Sequence, residues 1–262
     1  MVDTIIMGTD HNYAWLTCIS LMSFNDKIGR FHHPYTIEIL IDSSVTQEDQ
    51  DNMLRAYSPI KFVEFNKNKM ILARLWLPVM YPHLSSCLWL DSDTVFMNAG
   101  DFNEFMNTDI TDYDIAGSNA EPPKMRTDNN RNTWVCAGVI LMNLDRIRSK
   151  GLPEDWMEMI EQLDTNDEKI INQTTDRLFL RYHYVSPWEG NPYYVGGIAH
   201  LTLKPYQEFY LEWYRYYINW KMEDLRRSLP LNFKSAEGLE RMSKIEPNKE
   251  HIDRSQWEVN HE

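Results

Sequence analysis

Cysteine is scarce in this chain. Cys18, Cys87 and Cys136 are the three among 262 residues, too few and too scattered for a disulfide framework, which fits a reducing compartment. Long apolar runs are missing as well, since none approaches the roughly 20 residues of a bilayer span. The opening Met1-Val2-Asp3-Thr4-Ile5-Ile6-Met7 has no basic stretch followed by an apolar one of signal-peptide length. A soluble, cytoplasmic protein is the expectation, with membrane contact only as a peripheral event. Positive charge is in deficit: 26 Lys and Arg face 39 Asp and Glu, a net charge of −13. That argues against bare DNA or RNA as a partner and against a polybasic hold on anionic lipid. An anionic ligand would need a metal ion or a few focused Arg and Lys side chains. No glycine-rich basic loop follows the first apolar run, where Gly8-Thr9-Asp10-His11 stands, so a nucleotidylyltransferase is disfavoured. There is no internal repeat, low-complexity tract or clear linker.

What is present is an alternation of short apolar runs with helical patterns. Hydrophobic residues make up 43% of the chain, enough for a sizeable core. Residues 4–8 read as a buried strand, 9–13 as a polar turn and 14–24 as a helix. The order repeats with a strand at 35–41, a turn at 42–44 and a helix at 46–57, where Thr46 and Asp49 form an N-cap signal. A strand at 60–65 and a helical pattern at 68–81, interrupted by Pro78, follow. This alternation predicts an α/β fold with a mostly parallel sheet covered on both faces. Further on, the pattern predicts a short helix at 101–106, strands at 113–117 and 134–142, and helices at 154–163 and 168–181. Extended pieces are expected at 184–188 and 198–201. Residues 119–132 have the composition of a long loop, a candidate lid. Residues 206–228 read as a helix dense in Tyr and Trp, either core-facing or an acceptor platform, and a looser helix is expected at 235–245. Residues 1–206 are expected to form one domain, with 207–262 a helical extension packed on it.

The stretch that organises the rest is Ser86-Cys87-Leu88-Trp89-Leu90-Asp91-Ser92-Asp93-Thr94-Val95-Phe96. A buried strand ends in two carboxylates one residue apart, and side chains two apart on extended backbone project to the same side. Strand ends of open α/β sheets are also where ligands bind. Asp91 and Asp93 suit either a solvated acidic loop or an ion site, since a divalent cation offsets the cost of crowding carboxylates. Gly138, inside the apolar run 134–142, marks either a close approach to a ligand or a relief of packing.

Several segments, in this order, resemble glycosyltransferase family 8, the retaining, metal-dependent family of GT-A fold that includes glycogenin and bacterial lipopolysaccharide galactosyl- and glucosyltransferases. Thr9-Asp10-His11-Asn12-Tyr13-Ala14 resembles the family's first turn. Ala73-Arg74-Leu75, with Pro78 and Tyr81-Pro82, resembles the helix before the acidic motif. Leu88-Trp89-Leu90-Asp91-Ser92-Asp93 is similar to the family's YLDxD segment. Ala137-Gly138-Val139-Ile140-Leu141-Met142-Asn143-Leu144 is similar to its NAGVxLxNL strand, and Ile198-Ala199-His200 with Lys204-Pro205-Tyr206 resembles its late HFxGxxKPW element.

The resemblance implies transfer of a hexose from a UDP-sugar, UDP-glucose or UDP-galactose by preference, to a glycan, lipid-linked or protein acceptor; the sequence does not fix the oligomeric state, and a homodimer is compatible with it. It assigns Asp91, Asp93 and His200 to a metal. The mixed oxygen and nitrogen set points to Mn²⁺, with Mg²⁺ as the second choice. It assigns Thr9, Asp10, Asn12 and Tyr13 to the base and ribose. Arg74, Ser92, Asn119, Cys136, Ala137, Gly138 and Lys204 fall to the diphosphate and sugar. Gln173 and Asp176 are its candidates for the groups beneath the sugar ring, with Asp114 and Asn143 weaker ones. The chain departs from the family at three points. Cys136 stands where Asn is usual, the DQ pair is only partly represented by Asn172-Gln173 or Thr175-Asp176, and His200 is two residues closer to Lys204 than usual. Those departures motivate an alternative, a catalytically silent sugar-nucleotide or glycan-binding protein of the same fold.

Overall fold

The computed structural model describes residues 2–29, 34–67, 69–119, 134–162, 167–180, 194–200 and 216, all within a unit spanning Met1–Arg227. In chain order the elements are β1 (Thr4–Thr9), α1 (Ala14–Phe24), β2 (Thr36–Ile41), α2 (Gln47–Ala56), β3 (Lys61–Glu64), α3 (Ala73–Met80), β4 (Ser86–Asp91) and β5 (Thr94–Phe96). They continue with α4 (Ala99–Met106), β6 (Ile115–Asn119), β7 (Val135–Asn143), α5 (Leu144–Ser149), α6 (Leu152–Gln162), α7 (Asp167–Thr174), β8 (Arg177–Phe179), β9 (Tyr194–Val195) and β10 (Ile198–His200). Among the described residues, seven strands form one sheet in the order β3-β2-β1-β4-β7-β6-β8. All neighbours are parallel except β7, which runs antiparallel to both β4 and β6. A small antiparallel sheet, β5-β10-β9, stands beside it.

The central strands are apolar along their whole length because both faces are covered. On one face α1, α2 and α4 bury Phe24, Met53 and Phe102, with the Phe24, Phe96 and Phe102 rings meeting edge to face at 5.1 to 6.4 Å. On the other, α3, α5, α6 and α7 bury Leu75, Leu77, Ile147, Trp156 and Ile170 around Trp89. Each such side chain contributes about 1.5–3 kcal/mol by leaving water. Local signals start the helices where expected. Thr46 and Asp49 form a reciprocal capping box at α2, and the Asn98 side chain accepts from the amides of Gly100 and Asp101 at α4.

One expected helix, 168–181, is wrong in its second half. α7 ends at Thr174, and Arg177–Phe179 is a strand parallel to β6. The hydroxyls of Thr174 and Thr175 turn back to the carbonyls of Ile170 and Ile171 at 2.8 and 2.7 Å, a local bond that competes with helix propagation. The Asp176 carbonyl then accepts from the amides of Asp114 and Ile115, so a long-range ladder overrides local periodicity. The helix α5, capped by Asn143, was also unforeseen. The expected lid from 120 onward, the extended piece at 184–188 and the helix at 235–245 lie outside the described residues. So does the aromatic helix, except for Tyr216, which is helical and buried and donates its hydroxyl to Asp26 at 2.7 Å.

Candidate active site

β4 delivers Asp91 to the edge of the sheet, beside Gly8 of β1 and beyond the pair Leu90–Val139 with β7. Ser92 points inward and is buried. Its hydroxyl donates to the Gly8 carbonyl at 2.7 Å and accepts from the Thr17 hydroxyl at 3.1 Å. Thr94 donates to the Asp91 carbonyl at 2.9 Å. The turn is thus held from inside, and both carboxylates are left on the His200 side. β5 pairs with β10 in the register Thr94–His200, which sets the imidazole beside the acids. His200 Nε2 lies 3.0 Å from Asp93 Oδ1 and 3.5 Å from Asp91 Oδ2. One ligand atom from each of the three residues lies within 4.8 Å of the others.

Two residues of β7 fit the ring. A Cβ on Gly138 would stand 2.1 to 2.6 Å from imidazole atoms, so only glycine leaves room there. Gly138 marks close approach of a side chain, and that side chain is His200. Cys136 Sγ lies 3.2 Å from His200 Nδ1, on the far side of the ring from the acids.

The electrostatics of this trio call for a cation. Burial alone would lower the His200 pKa, but the charges of Asp93 and Cys136 and the hydrogen bonds to both together raise it well above the ordinary value. Burial alone would raise Asp93, but the charge and hydrogen bond of His200, with a backbone hydrogen bond and the charge of Arg74, together bring it below the usual carboxylate range. A proton held on His200 thus answers the carboxylates. Two carboxylate oxygens and an imidazole nitrogen are also a donor set that suits a divalent ion such as Mn²⁺, so the residues fit the metal the sequence implied.

Arg74 of α3 organises the wall behind Asp91. It is buried, with Nη2 2.9 Å from Asp91 Oδ1 and Nε 2.6 Å from Asp167 Oδ2. Its Nη1 donates to the Ala137 carbonyl, and the guanidinium lies 5.1 Å from the Trp89 ring centroid. Trp89 Nε1 donates to the same Asp91 Oδ1 at 2.8 Å. Two donors therefore tie Asp91 Oδ1 and leave Oδ2 on the His200 side. Each Arg74 nitrogen already faces a protein acceptor, so its first task is to orient Asp91. Burial and the nearby Asp91 charge push Asp167 up, against the opposing pull of Arg74.

A cavity of about 380 Å³ opens over the trio. Asp91, Ser92, Asp93, His200 and Arg74 line one part of it, and Thr9, Asp10, Tyr13, Met70 and Ile71 the rest. Asp10 Oδ1 accepts from the Tyr13 amide at 3.1 Å, shaping the turn into α1. Burial and the charges of Asp93, Asp10 and Asp91 raise the Tyr13 phenol, as expected for a ring beside the acids. Gly8 floors the cavity, where a Cβ would come within 2.7 Å of Trp89.

Not every candidate from the sequence is gathered here. Asn12 is exposed and does not line the cavity. Asn119 closes β6, but its side chain, like all of Lys204, lies outside the described residues. Gln173 is exposed near the end of α7. Asp176 stands at the opposite end of the sheet, paired with Arg146 at 3.0 Å and Lys150 at 2.7 Å. Asp114 shares both bases, and Asn143 caps α5. The helix does bring acids to the site, but from its first turn: Asp167 reaches Arg74, and Glu168 feels the charges of Asp167, Arg74, His200 and Asp91, its pKa raised chiefly by burial. Adjacent acids at a helix start read as ordinary first-turn residues. Their meaning came only with the fold.

Comparison with known proteins now bears on this geometry. The family model described as Glycosyl transferase family 8 matches residues 4–185, and no curated protein matches the chain. Among solved structures, the galactosyltransferase LgtC in complex with donor and acceptor sugar analogs is 15% identical, with a TM-score of 0.61 over 84% of this chain and 95% of that one. The glycosyltransferase GlyE of Streptococcus pneumoniae TIGR4 is 17% identical, with a TM-score of 0.58 over 88% of this chain and 66% of that one. At such identities the likeness is one of fold.

Proposed function

The chain belongs to glycosyltransferase family 8, a glycosyltransferase of GT-A fold, and from that premise we propose that it moves a hexose from a UDP-sugar, with retention, to a glycan, lipid-linked or protein acceptor, and that it requires Mn²⁺. UDP-glucose and UDP-galactose are the favoured donors. The observation that carries the reading is the meeting of Asp91, Asp93 and His200 at one side of a cavity whose other side is the Thr9–Asp10–Tyr13 turn.

Asp91, Asp93 and His200 would hold the ion, which when bound supplies positive charge to a diphosphate leaving group. A chain of net charge −13 repels a diphosphate, so the ligand set is where that repulsion is overcome. Arg74 and Trp89 keep Asp91 Oδ1 occupied and its other oxygen available. Asp10 and Thr9 offer acceptors and a donor to a ribose or base, and Tyr13 offers a ring face. Retention calls for a group on the ring face opposite the leaving group, or for same-face attack. Gln173 and Asp176 do not line the cavity, and Asp167 is committed to Arg74. Glu168 does not line the cavity either, but it feels the charges of His200 and Asp91, and it is the carboxylate of α7 that we assign to the reacting face.

The test is incubation with Mn²⁺ and a panel of UDP-sugars, reading UDP release and, by calorimetry, UDP binding. Release from UDP-glucose or UDP-galactose that stops with EDTA is expected. Binding without turnover would move the chain to the silent binding proteins, and neither binding nor release would end the reading.

A further inference from the structure

The contact between Cys136 and His200 is unlike the rest of the site, because it lies on the far side of the ring from the acids. Both side chains are buried, and Sγ lies 3.2 Å from Nδ1 while Nε2 faces Asp93 and Asp91. A histidine ligand needs three things settled: where its ring lies, which way round it sits, and which nitrogen carries the proton. The β5–β10 register and the missing side chain of Gly138 settle the first. Neither can settle the others, since a ring turned over by 180° has the same shape. It would put carbon atoms toward both Cys136 and the acids.

We propose that Cys136 is a positioning residue for His200: its sulfur accepts the Nδ1–H and so directs an unprotonated Nε2 toward the acidic pair, where the ion would be held. This rests on the metal-dependent reading of the site given above. The partner behind a metal-bound imidazole is usually a carboxylate, a carbonyl or water, and losing it costs about 10–100-fold in metal affinity. A thiol is a weaker acceptor, but here it is buried and no larger than the space beside the ring.

Three variants separate this role from simple packing. Cys136→Val keeps the bulk and removes the acceptor, Cys136→Ala removes both, and Cys136→Ser keeps an acceptor. Mn²⁺ affinity is read by electron paramagnetic resonance of free Mn²⁺ in the presence of UDP, with circular dichroism to show that each variant is folded. We expect the Val and Ala variants to bind Mn²⁺ at least tenfold more weakly than the native chain, and the Ser variant to stay within about threefold. UDP is kept saturating for every variant, so that the readout is Mn²⁺ affinity alone. If the Ala variant does not fold, the Val variant decides. A Val variant that binds Mn²⁺ as tightly as the native chain, or a Ser variant as weak as Val, overturns the proposal and leaves the metal site standing. A native chain that takes up no Mn²⁺ with UDP overturns both.

Discussion

The two ends of the sheet carry similar residues and do opposite things. At the end where β4 and β6 begin, Asp114 is fully buried between Arg146 at 3.0 Å and Lys150 at 2.6 Å, and Asp176 completes the group. Two acids meet two bases, and the Asp176 amide donates to Asp114 Oδ2 at 2.7 Å. Among the described residues at the end where β4 stops, Asp91, Asp93, Asp167 and Glu168 face one permanent cation, Arg74. A balanced cluster is complete as it stands and joins β6 to β8. An unbalanced one keeps a demand for positive charge, which a proton on His200 meets in part and a metal ion would meet better. Counting charge at each end therefore separates a structural network from a binding site, although both are made of Asp, Arg and Lys.

That contrast can be broken by substitution. Asp93→Asn should lower Mn²⁺-dependent UDP release by roughly 10²–10³-fold. Asp176→Asn, an equally conservative change at the exposed corner of the other cluster, should leave turnover within about twofold and cost at most about 1 kcal/mol. Similar losses from the two variants would refute the distinction. Gly138→Ala should approach the Asp93 variant in effect, because its Cβ would stand 2.1 Å from the imidazole; a variant that still binds Mn²⁺ normally would show that the ring is not seated there. In the balanced cluster the large effect is on folding. Asp114→Asn should cost about 2–3 kcal/mol in urea unfolding, since it leaves two partly exposed bases facing a neutral group.

A smaller and more graded effect sharpens the same comparison. The raised His200 pKa means that, in EDTA, its pairing with Asp93 contributes stability that is fully present below the ordinary histidine pKa, near 6.5. It is lost as pH rises through the raised value. Mn²⁺ must displace that proton, so its affinity should climb with pH, by up to about tenfold per unit, until His200 is neutral. The Asp176 carboxylate behaves in the other sense: its hydrogen bonds to Lys150 and Arg146 lower its pKa, so its contribution is present above the ordinary carboxylate range and lost only in acid. Mn²⁺ titrations from pH 6 to 9 that show no slope would contradict the part given to His200.

Much of this was legible in the chain. The strand ending in Asp91-Ser92-Asp93 and the apolar run around Gly138 could be picked out, because apolar runs and acidic strand ends have local signatures, whereas the distant His200 was reached only through the family resemblance. Asp167 and Glu168 could not. Their significance depends on Arg74, more than 90 residues earlier, and the family resemblance instead pointed further along the chain to Gln173 and Asp176. β8 was missed for the same reason: three residues of sheet edge are defined by their partner, not by their own pattern.

By itself the sequence determined the alternation of buried strands and helices and the placing of two carboxylates on one side of a strand end. Those follow from periods of 2.0 and 3.6 residues, which any short window contains. Only the tertiary structure decided which nitrogen of His200 faces the acids, that Arg74 is taken up by Asp91 and Asp167, and that Asp176 serves the far end of the sheet. Each is a contact across dozens of residues, set by strand register and by the space a missing Cβ leaves, and no local pattern encodes either.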